Sequence, residues 1–175
     1  MMKIEDRIAR HRRMAEGYRN AYMHQEVQDG ETYEEWKFAD GAVYSSPYWT
    51  GDEEMLLGET AVDAAKCATM EAKALTLTFP DWRPVDCQIW ASDDGFVMKN
   101  KWAGHTKDGT GMGYYSYTFA RTNDAGEITR WETHVDEQFG HFIELAIGVR
   151  GPFALSSTDY VDALARCLDK AGVTV

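Results

Sequence analysis

His134 and Asp136 stand two positions apart near the end of one apolar-rich run, interleaved with Thr133 and Val135 and preceded by Trp131. Successive side chains of a strand point to opposite faces, so residues at this spacing share one. A carboxylate and an imidazole projecting together form an acid/base couple, one group taking a proton while the other gives one. Alternation alone leaves open which set faces the interior, and a bulge near the strand end would invert the answer. His105, just past Trp102 at a strand end, is either a further pocket acid/base or a loop histidine. His141 with His134 and Asp136 imitates a metal-ligand set, but the spacing fits no standard zinc pattern, and neither a metal nor a cofactor is expected. Cys67, Cys87 and Cys167 are odd in number and far apart, without a CxxC pair, and read as buried thiols.

The second source of chemistry is aromatic. Tyr18, Tyr22, Trp36, Trp49, Trp82, Trp90, Trp102, Tyr117 and Trp131 exceed what a core of this size needs. Large rings can line a site for a flat apolar ligand while their NH or OH tips hydrogen-bond its carbonyls; the alternative for any one ring is core or subunit interface.

The elements that must position these residues centre on 82–137, four apolar-rich runs separated by turn chemistry at Asp93-Asp94-Gly95, Lys107-Asp108-Gly109 and Asn123-Asp124-Ala125-Gly126. Connections this short force neighbouring strands antiparallel, and the alternation of the runs fits a sheet with one face against helices. Ahead of the meander, residues 3–25 carry Ile4, Ile8, Ala15, Tyr18 and Tyr22 at helical spacing, with Arg7, Arg10, Arg12 and Arg13 as a solvated basic face. Residues 31–37 fit a helical turn or a strand equally well. The segment 38–49 has an Asp40-Gly41 turn and, because Pro47 cannot donate to a ladder, fits a short edge strand. A second helix is expected from Thr60, capped with Asp63, to Thr78, where Pro80 stops it. Residues 139–149 fit a helical turn or a strand extension. A last helix starts at Ser156 or Ser157, carries Val161, Leu164, Ala165 and Leu168 as one stripe and ends at Gly172.

The 175 residues, 44% hydrophobic and 13% aromatic, fit one domain with an ample core. A net charge of −11 repels polyphosphate and anionic membrane surfaces, so nucleic-acid and membrane partners are not expected. The first residues form no apolar signal segment and no run is long enough to span a bilayer, which makes a cytoplasmic location the default expectation.

Three stretches resemble one family. RMAEGYRNAY (13–22) followed by FADGAVYSSP (38–47), FPDW (79–82) and TNDAGEITRWETHVDEQ (122–138) are similar, in this order, to the nuclear transport factor 2-like superfamily, and within it to the SnoaL-like polyketide cyclases and phenazine-biosynthesis A/B proteins. The likeness covers the core, about 13–147, and leaves a C-terminal helical extension, about 153–172, outside. It implies an α+β cone, a strongly bent antiparallel or mixed sheet wrapped around the N-terminal helices. It also implies a hydrophobic pocket at the open end and a homodimer through the sheet's outer face.

Position by position, the isomerases of the superfamily place an aspartate base where this chain has Ser46, an oxyanion tyrosine that matches Tyr18, and an aspartic acid that falls near Thr118. The cyclases place an acid/base aspartate late in the sheet, which Asp136 matches. The expectation is a cofactor-independent isomerase, cyclase or dehydratase acting on a small hydrophobic carbonyl compound. Asp136, His134 and His105 would be its catalytic groups, and Tyr18, Tyr22, Trp49, Trp82, Trp102, Tyr117, Thr118 and Trp131 its substrate contacts. A non-catalytic ligand binder, or an assembly module like the small subunit of ring-hydroxylating dioxygenases, is the alternative.

Overall fold

The computed structural model describes residues 3–25, 27, 37–46, 55–56, 61–149 and 156–174. Trp36, Trp49, Pro47, the Thr60 cap and residues 31–36 lie outside them. In chain order the elements are α1 (Ile4–Met23), β1 (Phe38–Ser45), β2 (Met55–Leu56), α2 (Ala61–Thr78), β3 (Arg83–Ala91), β4 (Gly95–His105), β5 (Gly111–Thr122), β6 (Ile128–Val135), α3 (Gln138–Ile147) and α4 (Ser157–Ala171). The strands make one sheet in the order β2-β1-β6-β5-β4-β3. The meander β3 to β6 is antiparallel throughout, and β1 joins β6 in parallel, so the sheet is mixed.

The fold is the expected α+β cone: an unclosed sheet whose concave face is covered by helices. β1 is not an edge strand, however, since β2 pairs along its other side. The turn chemistry at Asp40-Gly41 does not reverse the chain but forms a bulge between Phe38 and Val43, with Gly41 at φ 72° supplying the left-handed residue.

α1 lies across β3 and β4. His11 fixes it there: fully buried, its Nδ1 lies 2.8 Å from the Ser92 carbonyl and its Nε2 2.8 Å from the Thr122 hydroxyl. A carbonyl only accepts, so Nδ1 carries the hydrogen. Arg7 and Arg10 are tethers rather than a solvated face, reaching Asp124 at 3.0 Å and the Ala125 carbonyl at 2.7 Å on the β5–β6 turn. Gly126 in that turn has φ 77°, and a Cβ there would meet Arg10 Nη1 at 2.2 Å. Arg12 and Arg13 are exposed.

Residues 139–149 resolve as helix: α3 buries Phe139, Phe142, Ile143 and Ala146 at helical spacing. α4 starts on a capping box between Ser156 and Asp159 and ends at Gly172, φ 69°. It is no appendage. Tyr160, Leu164 and Leu168 join the main hydrophobic core together with α2, α3 and the rings of Trp82, Trp102 and Tyr114. Among the described residues, no helix is long and apolar enough to cross a membrane. The three cysteines are free and half-buried rather than fully buried.

Candidate functional site

The inward positions of β4 are Phe96, Met98, Asn100 and Trp102, and those of β5 are Tyr114, Ser116, Thr118 and Ala120, all buried. Their apolar members belong to two separate clusters. Trp102 and Tyr114 lie in one; Phe96, Met98, Ala120 and Trp131 lie in the other. Between them runs a polar belt. Asn100 pairs with Ser116 across β4–β5, Thr118 pairs with Thr133 across β5–β6, and Ser46 donates to the Thr133 carbonyl at 2.7 Å. Tyr18 and Tyr44 pack against both clusters, and so flank the belt.

Most of the belt is internally satisfied. Trp102 Nε1 donates to Ser116 Oγ at 2.8 Å, and Trp131 Nε1 to Thr133 Oγ1 at 3.1 Å. Asn100 is the exception. It is 1% exposed, and neither its Nδ2 nor its Oδ1 has a hydrogen-bond partner; Trp82 Nε1 is orphaned too. A buried amide left unpaired costs on the order of 1–3 kcal/mol per group, which sets Asn100 apart from the other polar residues of the belt.

The rings expected to line a site are gathered along this belt. Trp131 lies 5.1 Å from Tyr18, Tyr18 4.8 Å from Tyr22, and Tyr22 5.1 Å from Trp102, which stacks on Trp82 at 4.7 Å. Thr118 sits among them at 2% exposure. Tyr117 does not: its side chain is on the convex face. Trp49 lies outside the described residues.

The pairing also decides the face of β6. Trp131, Thr133 and Val135 stand opposite Ala120, Thr118 and Ser116, and therefore point inward. His134 stands opposite Tyr117 and points outward, so it does not project into the cone. There it joins Tyr117, Phe119, Arg121, Arg130 and Glu132 around an open depression of about 730 Å³. His134 Nε2 is 2.5 Å from Glu132 Oε1, and this bond, with Arg130 behind it, holds the Glu132 carboxyl below its ordinary range.

Asp136 lies past the strand end. Its Oδ2 accepts from the Tyr115 N–H at 2.9 Å and its Oδ1 from the Gln138 N–H at 3.1 Å, which joins β5 to the start of α3. Asp136 and His134 are thus engaged with different partners and form no couple. His105 is exposed at the end of β4, where Asp81 accepts from its backbone N–H at 2.6 Å and faces its Nδ1 at 2.8 Å. The His105 ring holds the Asp81 carboxyl below its usual range. His141 is exposed on α3, and no group of three or more His, Cys, Asp or Glu among the described residues is placed to hold a metal ion.

A buried ionisable pair between α2 and α4 was missed from sequence. Glu71 on α2 accepts a 3.0 Å hydrogen bond from the hydroxyl of Tyr160 on α4. Burial pushes the Glu71 carboxyl up to about 7 against the opposing pull of that bond, and burial beside Glu71 pushes the Tyr160 phenol well above its ordinary value. The signal was available: within 67–79, CATMEAKALTLTF, Glu71 and Lys73 alone are charged in an otherwise apolar helix, the pattern of an element enclosed by protein. Asn100 had a similar signal, a polar residue at an inward position of FVMKNKW.

No protein-family model and no curated protein matches this chain. Solved structures do. A phenazine biosynthesis-related protein from Pseudomonas aeruginosa superposes at a TM-score of 0.52 with 14% identity, over 85% of this chain and 88% of that one. A nuclear transport factor 2-like protein of unknown function from Burkholderia pseudomallei superposes at 0.51 with 12% identity, over 78% of this chain and 97% of that one. TerC, co-crystallised with polyporic acid, superposes at 0.50 with 12% identity, over 78% and 98%. The fold is that of the nuclear transport factor 2-like superfamily.

Proposed function

We propose that this nuclear transport factor 2-like cone holds a small hydrophobic carbonyl compound against its concave face. It would act on that compound without a cofactor, as an isomerase, cyclase or dehydratase using general acid/base chemistry. The observation that supports the reading most is Asn100. Its buried Nδ2 can donate to a ligand oxygen and its Oδ1 can accept from a ligand hydroxyl, within a wall of five aromatic rings. An amide donor aimed at a carbonyl stabilises the negative charge that develops there when a neighbouring proton leaves. That TerC was crystallised with polyporic acid agrees with a ligand of carbonyl-bearing character in a cone of this shape.

The belt itself is neutral, which favours a second reading, a binding protein without turnover. Asp136, half-buried just past the end of β6, is the carboxylate that the cyclase likeness singles out, and Asp136→Asn tests it: ligand binding unchanged with turnover lost assigns the chemistry to that carboxylate. In either reading the chain works as a cytoplasmic homodimer paired through the convex sheet face, where Trp90 is 54% and Phe119 42% exposed.

Calorimetry with flat polycyclic ketones tests the site. Asn100→Leu is expected to weaken ketone affinity at least roughly tenfold, because one hydrogen bond to a buried polar group is lost. The same change should raise the melting temperature of the ligand-free protein by removing two orphaned atoms. Undiminished affinity in the variant would sink the reading.

A further inference from the structure

We propose that the depression on the convex face of β5 and β6 is a second small-molecule site, one that takes a planar aromatic carboxylate. The inference is independent of what the concave face binds.

It begins with the strand register. Arg121 on β5 stands directly opposite Arg130 on β6, and Phe119 and Tyr117 stand opposite Glu132 and His134. All six side chains line one depression of about 730 Å³, within the roughly 300–1,000 Å³ usual for a small-molecule site. Like charges placed directly across a strand pair repel, so the two arginines destabilise the bare sheet. The carboxylate of the depression does not relieve both. Glu132 is held by Arg130 Nε at 3.4 Å and by His134 Nε2 at 2.5 Å. The exposed Arg121 guanidinium makes no hydrogen bond or ion pair among the described residues, and Asp94 attracts it only from beyond ion-pair distance. Its planar fork of N–H donors has the geometry that a carboxylate fills with two parallel hydrogen bonds.

The rings decide the other end of the ligand. Tyr117 and Phe119 are 38% and 42% exposed and lie two residues apart on the same face, roughly 7 Å along the strand. The His134 ring braces Phe119 edge to face at 5.5 Å, and the Lys99 ammonium lies 5.8 Å from the centre of Tyr117. Two rings left in water beside cations make a stacking platform for a flat anion. Charge selects a small one. On this face Lys99, Lys101, Arg121 and Arg130 outnumber Asp86 and Glu132, whereas the whole chain carries −11. A single carboxylate is drawn to the patch, while an extended polyanion also meets the acidic remainder. Phe119 belongs as well to the face proposed for pairing of two chains, so the anion and a second copy compete for it.

Calorimetry of the full chain with 2-naphthoate tests the site, against 2-naphthamide, which keeps the rings without the charge, and against inorganic phosphate. 2-Naphthoate should bind at least about tenfold tighter than either and should raise the melting temperature. Arg121→Gln should weaken its binding at least about tenfold and Phe119→Ala about fivefold. Without ligand, Arg121→Gln should melt no lower than the wild type, since it removes a like-charge pair. Asn100→Leu, altered on the concave face alone, should bind 2-naphthoate as the wild type does.

Affinity indifferent to Arg121→Gln, or the amide or phosphate bound as tightly as 2-naphthoate, would overturn the assignment. Affinity lost in Asn100→Leu would overturn it too, by moving the ligand to the concave face. Absence of binding to a chain that is dimeric in sedimentation equilibrium would give the depression to the second copy instead. Arg121-dependent binding by a monomeric chain supports the site and sinks the pairing.

Discussion

At the scale of single residues the decisive quantity is what happens to a polar atom when water is removed. Glu71 shows it as a titration. Its carboxyl rises from 4.5 to about 7 on folding because burial penalises the charged form. Between those values the folded state holds a proton that the unfolded chain has released. The stabilising contribution is thus fully present below about pH 4.5 and is lost as pH rises through about 7, a change of up to roughly 3 kcal/mol. Chemical denaturation of the wild type across this range should show the decline, and Glu71→Gln should flatten it while exceeding the wild type in stability above neutrality. Equal slopes for the two proteins would show that the carboxyl is solvated.

The same desolvation logic separates Asn100 from Ser116 and Thr133, which receive their hydrogen bonds from Trp102 and Trp131. Residue types marked Glu71 and Asn100 as polar among apolar neighbours but did not show which of them would find partners. His134 and Asp136 offered the more conventional chemistry, and their spacing did place them near one another. What the spacing could not supply was the facing strand: Tyr117 opposite His134 sends that ring outward.

At the scale of elements, the helices and turns were largely written in local chemistry. Glycine at 126 and 172, and Ser156 opposite Asp159, act within a few residues, so their effect is visible without the rest of the fold. That locality makes a direct prediction. Ser156→Ala removes the hydroxyl that accepts from the Asp159 N–H at 3.1 Å and should cost about 1 kcal/mol of global stability. Because α4 packs into the main core and carries Tyr160, the loss should appear in the cooperative unfolding transition, not as separate fraying of the C-terminus. Hydrogen exchange confined to 156–174 with an unshifted main transition would contradict it.

The strands were legible as elements but not as neighbours. β1 was expected at an edge because Pro47 cannot join a ladder; the proline lies beyond the strand's end at Ser45, and the ladder on that side goes to β2.

At the scale of the whole molecule, one sheet presents two opposite surfaces. The concave face is covered by helices. The convex face leaves Trp90, Tyr117 and Phe119 exposed beside Lys99, whose ammonium lies 5.1 Å from the centre of the Tyr115 ring. If pairing through this face forms the proposed homodimer, Phe119→Asp should convert the dimer to a monomer in sedimentation equilibrium, since a buried unpaired carboxylate at an interface costs several kcal/mol. Ketone affinity at the concave face should be unaffected. A dimer that survives the substitution would place the interface elsewhere.

The sequence by itself determined α1, α2, α4 and the four meander strands, the α+β class and the presence of an aromatic-rich interior, because helix periodicity, strand alternation, caps and turn glycines are effects of neighbours within a few positions. The tertiary structure alone decided which face of β6 looks inward, that Asn100 is left without partners, and that Glu71 meets Tyr160 across 89 positions of chain. Those outcomes depend on strand register and helix docking, which are set by the packing of distant segments and are invisible to any local window of residues.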